Sequence, residues 1–111
     1  MSERVVVTGL GLVTPVGLDR KSTWESLREG RSGVGDISLF DAEGFITRIA
    51  AEVQNFDAAS RLGRKESKRL DRFSQFACVA ALEALEDAGI EMGSENPDRV
   101  GVLIGSGVGG I

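Results

Sequence analysis

The 111 residues carry a formal net charge of −4, are 41% apolar, and include one cysteine and no histidine. That length fits one small domain which, folded alone, buries near two-thirds of its extended surface. The acidic balance argues against a general nucleic-acid binder. A single thiol excludes an internal disulfide and makes a reducing, cytoplasmic setting the default, and no apolar run approaches the roughly 18 residues of a membrane span.

The chain opens on VVVTGLGLVTPVG (Val5–Gly17). Residues 5–16 have the greasiness of a signal-peptide core, but Glu3 sits upstream and no small-residue cleavage site follows. Arg4–Thr8 reads as a strand, and its consecutive valines fit one buried on both faces. Gly9 and Gly11 start a dinucleotide fingerprint, yet Thr14 stands where its third glycine belongs, and Pro15 blocks immediate entry into a helix. The glycines therefore serve a structured turn rather than a phosphate. STWESLREG follows as a short helix, with Ser22 and Glu25 as a capping box, Trp24 and Leu27 on one face, and Gly30 as its stop.

Residues 31–59 are irregular, with Phe40, Phe45 and Phe56 as anchors and a short strand within Ile46–Val53. A long helix is expected from Lys65 to Ala88. Leu70, Phe73, Ala77, Ala80, Ala81, Ala84, Leu85 and Ala88 form one stripe at three- and four-residue steps, and Gly89 caps it. Alanine dominates the stripe, so a neighbour can approach closely. Val100–Ile104 reads as a second wholly apolar strand running into GSGVGG (Gly105–Gly110). That glycine run spells G-x-G-x-x-G, a weak signal without a following helix and a later acidic residue. Two such strands need cover on both faces, and one long helix with one short helix is too little. The inventory therefore points to part of a larger α/β layered domain.

RVVVTGLGLVTPVG, STWESLREGRSGV, RKESKRLDRFSQFA and RVGVLIGSGVGG occur in this order and spacing. Together they resemble the N-terminal part of the β-ketoacyl-acyl-carrier-protein synthases, specifically the synthase II type, over essentially the whole chain. The resemblance implies that residues 1–111 form the N-terminal portion of a thiolase-like, five-layer α-β-α-β-α sandwich in a homodimeric enzyme. It also implies a decarboxylative condensation of a cysteine-bound acyl group with malonyl-acyl-carrier protein in fatty-acid elongation, assisted by two histidines and without a cofactor or metal. A non-catalytic partner of chain-length-factor type, or a polyketide ketosynthase subunit, is the alternative.

No catalytic residue of that family falls within this segment. Cys78 lies mid-helix between Ala77 and Val79, lacks the cationic or helix-N-terminal setting that activates a thiol, and reads as a packing residue. Arg61, Arg64, Lys65, Lys68, Arg69 and Arg72 face only Glu66 and Asp71, a local balance of +4 that leaves −8 for the rest of the chain. Pattern alone makes this a solvated helix face, but cations crowding a helix N-terminus oppose its dipole. The resemblance assigns Lys65, Lys68 and Arg69 to docking of the acidic acyl-carrier protein, and places Val108 against the acyl chain near the dimer interface. Thr8, Thr14, Pro15 and Trp24 are structural.

Overall fold

The structure is a computed structural model that describes residues 2–111. Contacts group the chain into two units, Met1–Gly11 with Asp57–Ile111, and Leu12–Phe56.

In the first unit the long helix, α4 of the chain, spans Arg72–Ala88 and closes as its sequence predicts. Gly89 adopts a left-handed conformation at φ 66°, and the Ile90 amide reaches back to the Leu85 carbonyl at 3.2 Å. Its start is later than expected. Residues 59–71 instead form two single turns, α2 (Ala59–Leu62) and α3 (Arg64–Ser67), separated by Gly63 at φ 81°. Asp71 is extended (φ −64°, ψ 157°), which ends helical continuity between Lys65 and the long helix. Leu70, read as part of the helical stripe, lies in this connection.

The alanine stripe has its close neighbour. A Cβ placed on Gly11 would collide with the Ala80 carbonyl and stand 2.8 Å from the Ala84 nitrogen. One placed on Gly9 would meet the Ala84 carbonyl and lie 2.6 Å from the Ala88 nitrogen. Ala80, Ala84 and Ala88 are successive turns of one helix face, so residues 9–11 rest directly on helix backbone. The Asp87 carboxylate pins this contact by accepting the Leu10 amide at 3.0 Å.

The two expected apolar strands are not strands. Arg4–Thr8 and Val100–Ile104 make no ladder, because neither lies beside a hydrogen-bonding partner among the described residues. Val5 is 91% and Leu103 97% exposed. Burial is low: among the described residues, only Ala58 and Val79 are buried hydrophobic residues. The chain exposes 9074 Å², whereas a compact protein of this mass exposes about 5,900 Å². About half of the extended surface is buried, rather than the expected two-thirds.

In the second unit, Thr14 explains its own place in the failed fingerprint. Its main chain bridges to Gly17, and its hydroxyl meets the Thr23 hydroxyl at 3.1 Å and receives the Val16 amide at 3.2 Å. Buried Ser26 donates to the Val16 carbonyl at 2.7 Å. The turn is thus tied by hydroxyls to α1 (Arg20–Arg28). That helix starts earlier than STWESLREG implies. Its cap is Asp19 rather than Ser22, and Ser22 occupies the third helical position of an Asp19–Ser22 capping box. Trp24 and Leu27 are exposed. Further on, β1 (Val34–Asp36) pairs antiparallel with β2 (Ile49–Ala51), Gly35 opposite Ala50. The expected strand within Ile46–Val53 is therefore shorter, and its partner was not anticipated. Glu52 ties the hairpin by accepting from the Ser38 hydroxyl at 2.7 Å and its amide at 3.0 Å, and Phe40 meets Phe45 edge-to-face at 5.8 Å.

Two consequences are measurable. Gly11→Ala is expected to destabilise the protein by about 1–3 kcal/mol, the range for an atom forced into a packed contact. Gly101→Ala, where a Cβ meets nothing, is expected to change stability by no more than about 0.5 kcal/mol; denaturant midpoints compare them. At α1, hydrogen bonds from the Ser22 hydroxyl and then its amide, with Lys21 and Arg20 nearby, hold the Asp19 carboxyl below its ordinary value. A lowered folded-state value means that the stabilisation is present above the ordinary carboxylate range and lost as pH falls through the folded value. Asp19→Ala is expected to cost about 1 kcal/mol at neutral pH. Protection of the Ser22 and Thr23 amides from hydrogen exchange should fall on acidification in the wild type and be low throughout in the variant.

Candidate functional site

The basic segment is built on α3 and the connection to α4. Ser67 is buried and its hydroxyl donates to the Arg64 carbonyl at 3.1 Å, which turns the chain so that Lys65, Lys68 and Arg69 face solvent. The Gln75 side chain, from the first turns of α4, donates to the carbonyls of Ser67 at 2.8 Å and Leu70 at 3.1 Å. These bonds span the connection that carries Lys68 and Arg69.

The six cations differ in their pairing. Arg61 is held by Glu86, one guanidinium nitrogen reaching both carboxylate oxygens at 2.9 Å. Arg69 stands 3.6 Å from Glu66 with both side chains largely exposed, a pairing worth little in water. Arg72 lies over the Phe76 ring at 4.9 Å. Among the described residues, Arg64, Lys65 and Lys68 form no ion pair. The helix-dipole objection also changes. Lys65, Lys68 and Arg69 precede the long helix, within and just after a four-residue turn, and only Arg72 occupies α4's first position.

Val108 is 75% exposed on the loop that follows the second apolar segment. No helix follows the G-x-G-x-x-G run within the described residues. The loop is shaped locally instead, the Ser106 hydroxyl oxygen accepting the Gly109 amide at 3.0 Å. It lies against the start of α4: a Cβ on Gly109 would be 3.7 Å from Phe73, and one on Gly110 would run into the Asp71 carboxylate. A shallow cleft of about 370 Å³ marks the joint, lined by Asp71, Arg72, Phe73, Phe76, Gly109, Gly110 and Ile111. The structure thus brings the Val108 loop and the basic connection to one end of α4, although Val108 itself does not line the cleft.

Cys78 is exposed, which corrects the expectation that it packs inside. Ser74, Gln75, Ala81 and Leu82 are its neighbours one turn away on the helix, so no cation stands beside the thiol along α4. Among the described residues, no three His, Cys, Asp or Glu side chains are grouped to hold a metal ion, and no helix is long and apolar enough to cross a membrane. Sequence reasoning missed Gln75, Ser67 and Asp87. Gln75 and Asp87 carry no pattern that separates them from surface polar residues, because their partners are main-chain atoms.

A family model described as the N-terminal domain of beta-ketoacyl synthase matches residues 2–110. The chain belongs to the beta-ketoacyl synthase family. Relatives within it include proteins named 3-oxoacyl-acyl-carrier-protein synthase 2. That of Synechocystis sp. is 49% identical over 98% of this chain and 26% of its own length. That of Vibrio harveyi is 46% identical over 97% and 26%, and that of Staphylococcus aureus 43% over 99% and 27%. The chain thus spans about a quarter of the length of these synthases. Among solved structures, the ishigamide ketosynthase/chain length factor matches with a TM-score of 0.71 at 35% identity, over 78% of this chain and 21% of that one.

Proposed function

We propose that residues 1–111 are the N-terminal portion of a 3-oxoacyl-acyl-carrier-protein synthase of fatty-acid elongation, and that their own task is recognition. The match of residues 2–110 to the synthase N-terminal domain carries this reading, and identity of 43–49% to proteins of that name supports it. In the proposed reaction an acyl group held as a thioester on a cysteine meets malonyl-acyl-carrier protein. Loss of carbon dioxide leaves a carbanion that attacks the acyl carbonyl and expels the thiolate. Two histidines assist. These residues hold no histidine, and Cys78 lacks an activating neighbour along its helix, so that chemistry belongs to other parts of the enzyme. The proposed whole is a cytoplasmic homodimer with the thiolase-like five-layer sandwich, in which residues 4–8 and 100–104 are interior strands.

Within it, Lys65, Lys68 and Arg69 dock the acidic carrier protein, steering its approach and forming charge-assisted contacts. Their exposure and weak pairing support this role, since a cation already neutralised by a buried carboxylate has little to offer a partner. Val108 lines the acyl pocket, where its flanking glycines let backbone approach the chain. A second reading, a non-catalytic partner of chain-length-factor type or a polyketide ketosynthase subunit, draws on the likeness to the ishigamide assembly. A nucleophilic cysteine and two histidines elsewhere in the protein separate the first reading from the non-catalytic one.

Lys21, Lys65 and Lys68 are the only lysines of the chain, which makes amine labelling a clean footprint. Saturating acyl-carrier protein is expected to slow acetylation of Lys65 and Lys68 while leaving Lys21 unchanged. Carrier retention by the Lys65→Glu/Lys68→Glu/Arg69→Glu variant should drop at least tenfold at low salt, a like-charge penalty of the size seen at interfaces. Equal retention by wild type and variant would remove the docking role. Residues 1–111 alone are expected to give no condensation product above blank in a malonyl-dependent assay.

A further inference from the structure

We propose that Gln75 is the positioning residue of the docking segment, holding residues 67–70 in the bend that presents Lys68 and Arg69. This rests on the carrier-docking reading and adds what sets its geometry. The Gln75 amide group donates both of its hydrogens, to the Ser67 carbonyl at 2.8 Å and the Leu70 carbonyl at 3.1 Å. Two carbonyl acceptors fix which way the amide faces, since only its NH₂ end donates.

The anchor is firm. Gln75 lies one turn inside α4, its own amide bonded to the Asp71 carbonyl at 2.9 Å. Besides the clamp, the segment has main-chain turn bonds from the Lys68 amide to the Arg64 carbonyl at 3.4 Å and from the Arg69 amide to the Glu66 carbonyl at 3.0 Å. The turn bond from the Leu70 amide to the Ser67 carbonyl is long at 3.4 Å, and Asp71 makes no side-chain cap to α4. Without the clamp, two partly buried carbonyls lose their strongest donors, and the connection frays. Lys68 and Arg69 would then have to be ordered each time the partner binds, which weakens association. Lys65 is different. It sits in α3, whose turn closes through the Ser67 amide to the Gly63 carbonyl at 3.1 Å, and it precedes both carbonyls that Gln75 holds.

That difference supplies the test. In the full-length protein, Gln75→Leu is expected to weaken binding of acyl-carrier protein about three- to tenfold, the scale of ordering a few side chains at an interface. The melting temperature should hold to within about 3 °C, and exchange of the amides from Lys68 to Asp71 should accelerate. Gln75→Glu keeps the length, suits a helix first turn and cannot donate, so it should act alike if the leucine variant folds poorly. The cycle with Lys68→Ala should be less than multiplicative, because a frayed loop has already lost much of the Lys68 contact, whereas the cycle with Lys65→Ala should be multiplicative. If Lys68→Ala leaves binding unchanged, the docking reading and this inference fall together. If Lys68→Ala weakens binding and neither Gln75 variant does, the clamp alone fails. Equal coupling of Gln75 to Lys65 and to Lys68 would make it a general stabiliser and overturn the positioning role.

Discussion

The closest packing in the first unit is backbone on backbone. Gly9 and Gly11 rest on the main chain of α4 at Ala80, Ala84 and Ala88, where even one added methyl on either glycine overlaps. Two small-residue patterns, one in a loop and one at four-residue steps on a helix, have to coincide for this contact to form. It fixes the first apolar segment against the helix, and Asp87 locks its register through the Leu10 amide. The same helix carries Gln75 and Phe73 at its other end, so the surface proposed to meet a partner is mounted on an element held by the glycine contact.

The parts of this arrangement legible in the sequence were those written in periodicity and in glycine. The alanine stripe announced a close neighbour, and Gly89 announced the end of α4. Thr14, standing where the fingerprint's third glycine belongs, ties the turn to α1 through its hydroxyl. Boundaries governed by individual side chains were not legible. A helical pattern ran unbroken from Lys65 through Leu70, yet extended Asp71 divides the segment, and Gln75 bonds back to the Ser67 and Leu70 carbonyls across the break. The cap of α1 moved from Ser22 to Asp19 because Asp19 accepts both the Ser22 amide and its hydroxyl.

Strand expectations failed for a different reason. Arg4–Thr8 and Val100–Ile104 have the composition of strands buried on both faces, but a strand is defined by a partner as much as by its residues. Among the described residues neither has one, and both stand largely exposed. A surface half as large again as compact packing allows agrees with a chain that spans about a quarter of its relatives' length.

Charge placement completes the physical picture. A run of cations along the first turns of a long helix would oppose its dipole and lower its stability. The break at residues 68–71 removes that conflict by moving Lys65, Lys68 and Arg69 onto a separate short turn and its exit, leaving Arg72 to stack on Phe76. The helix keeps its stability and the cations keep their exposure. A chain without histidine, whose only thiol has apolar and uncharged neighbours along its helix, has no acid, base or activated nucleophile of the kind condensation needs. What they hold instead is a short basic turn set apart from the long helix, in which Arg64, Lys65 and Lys68 form no ion pair among the described residues.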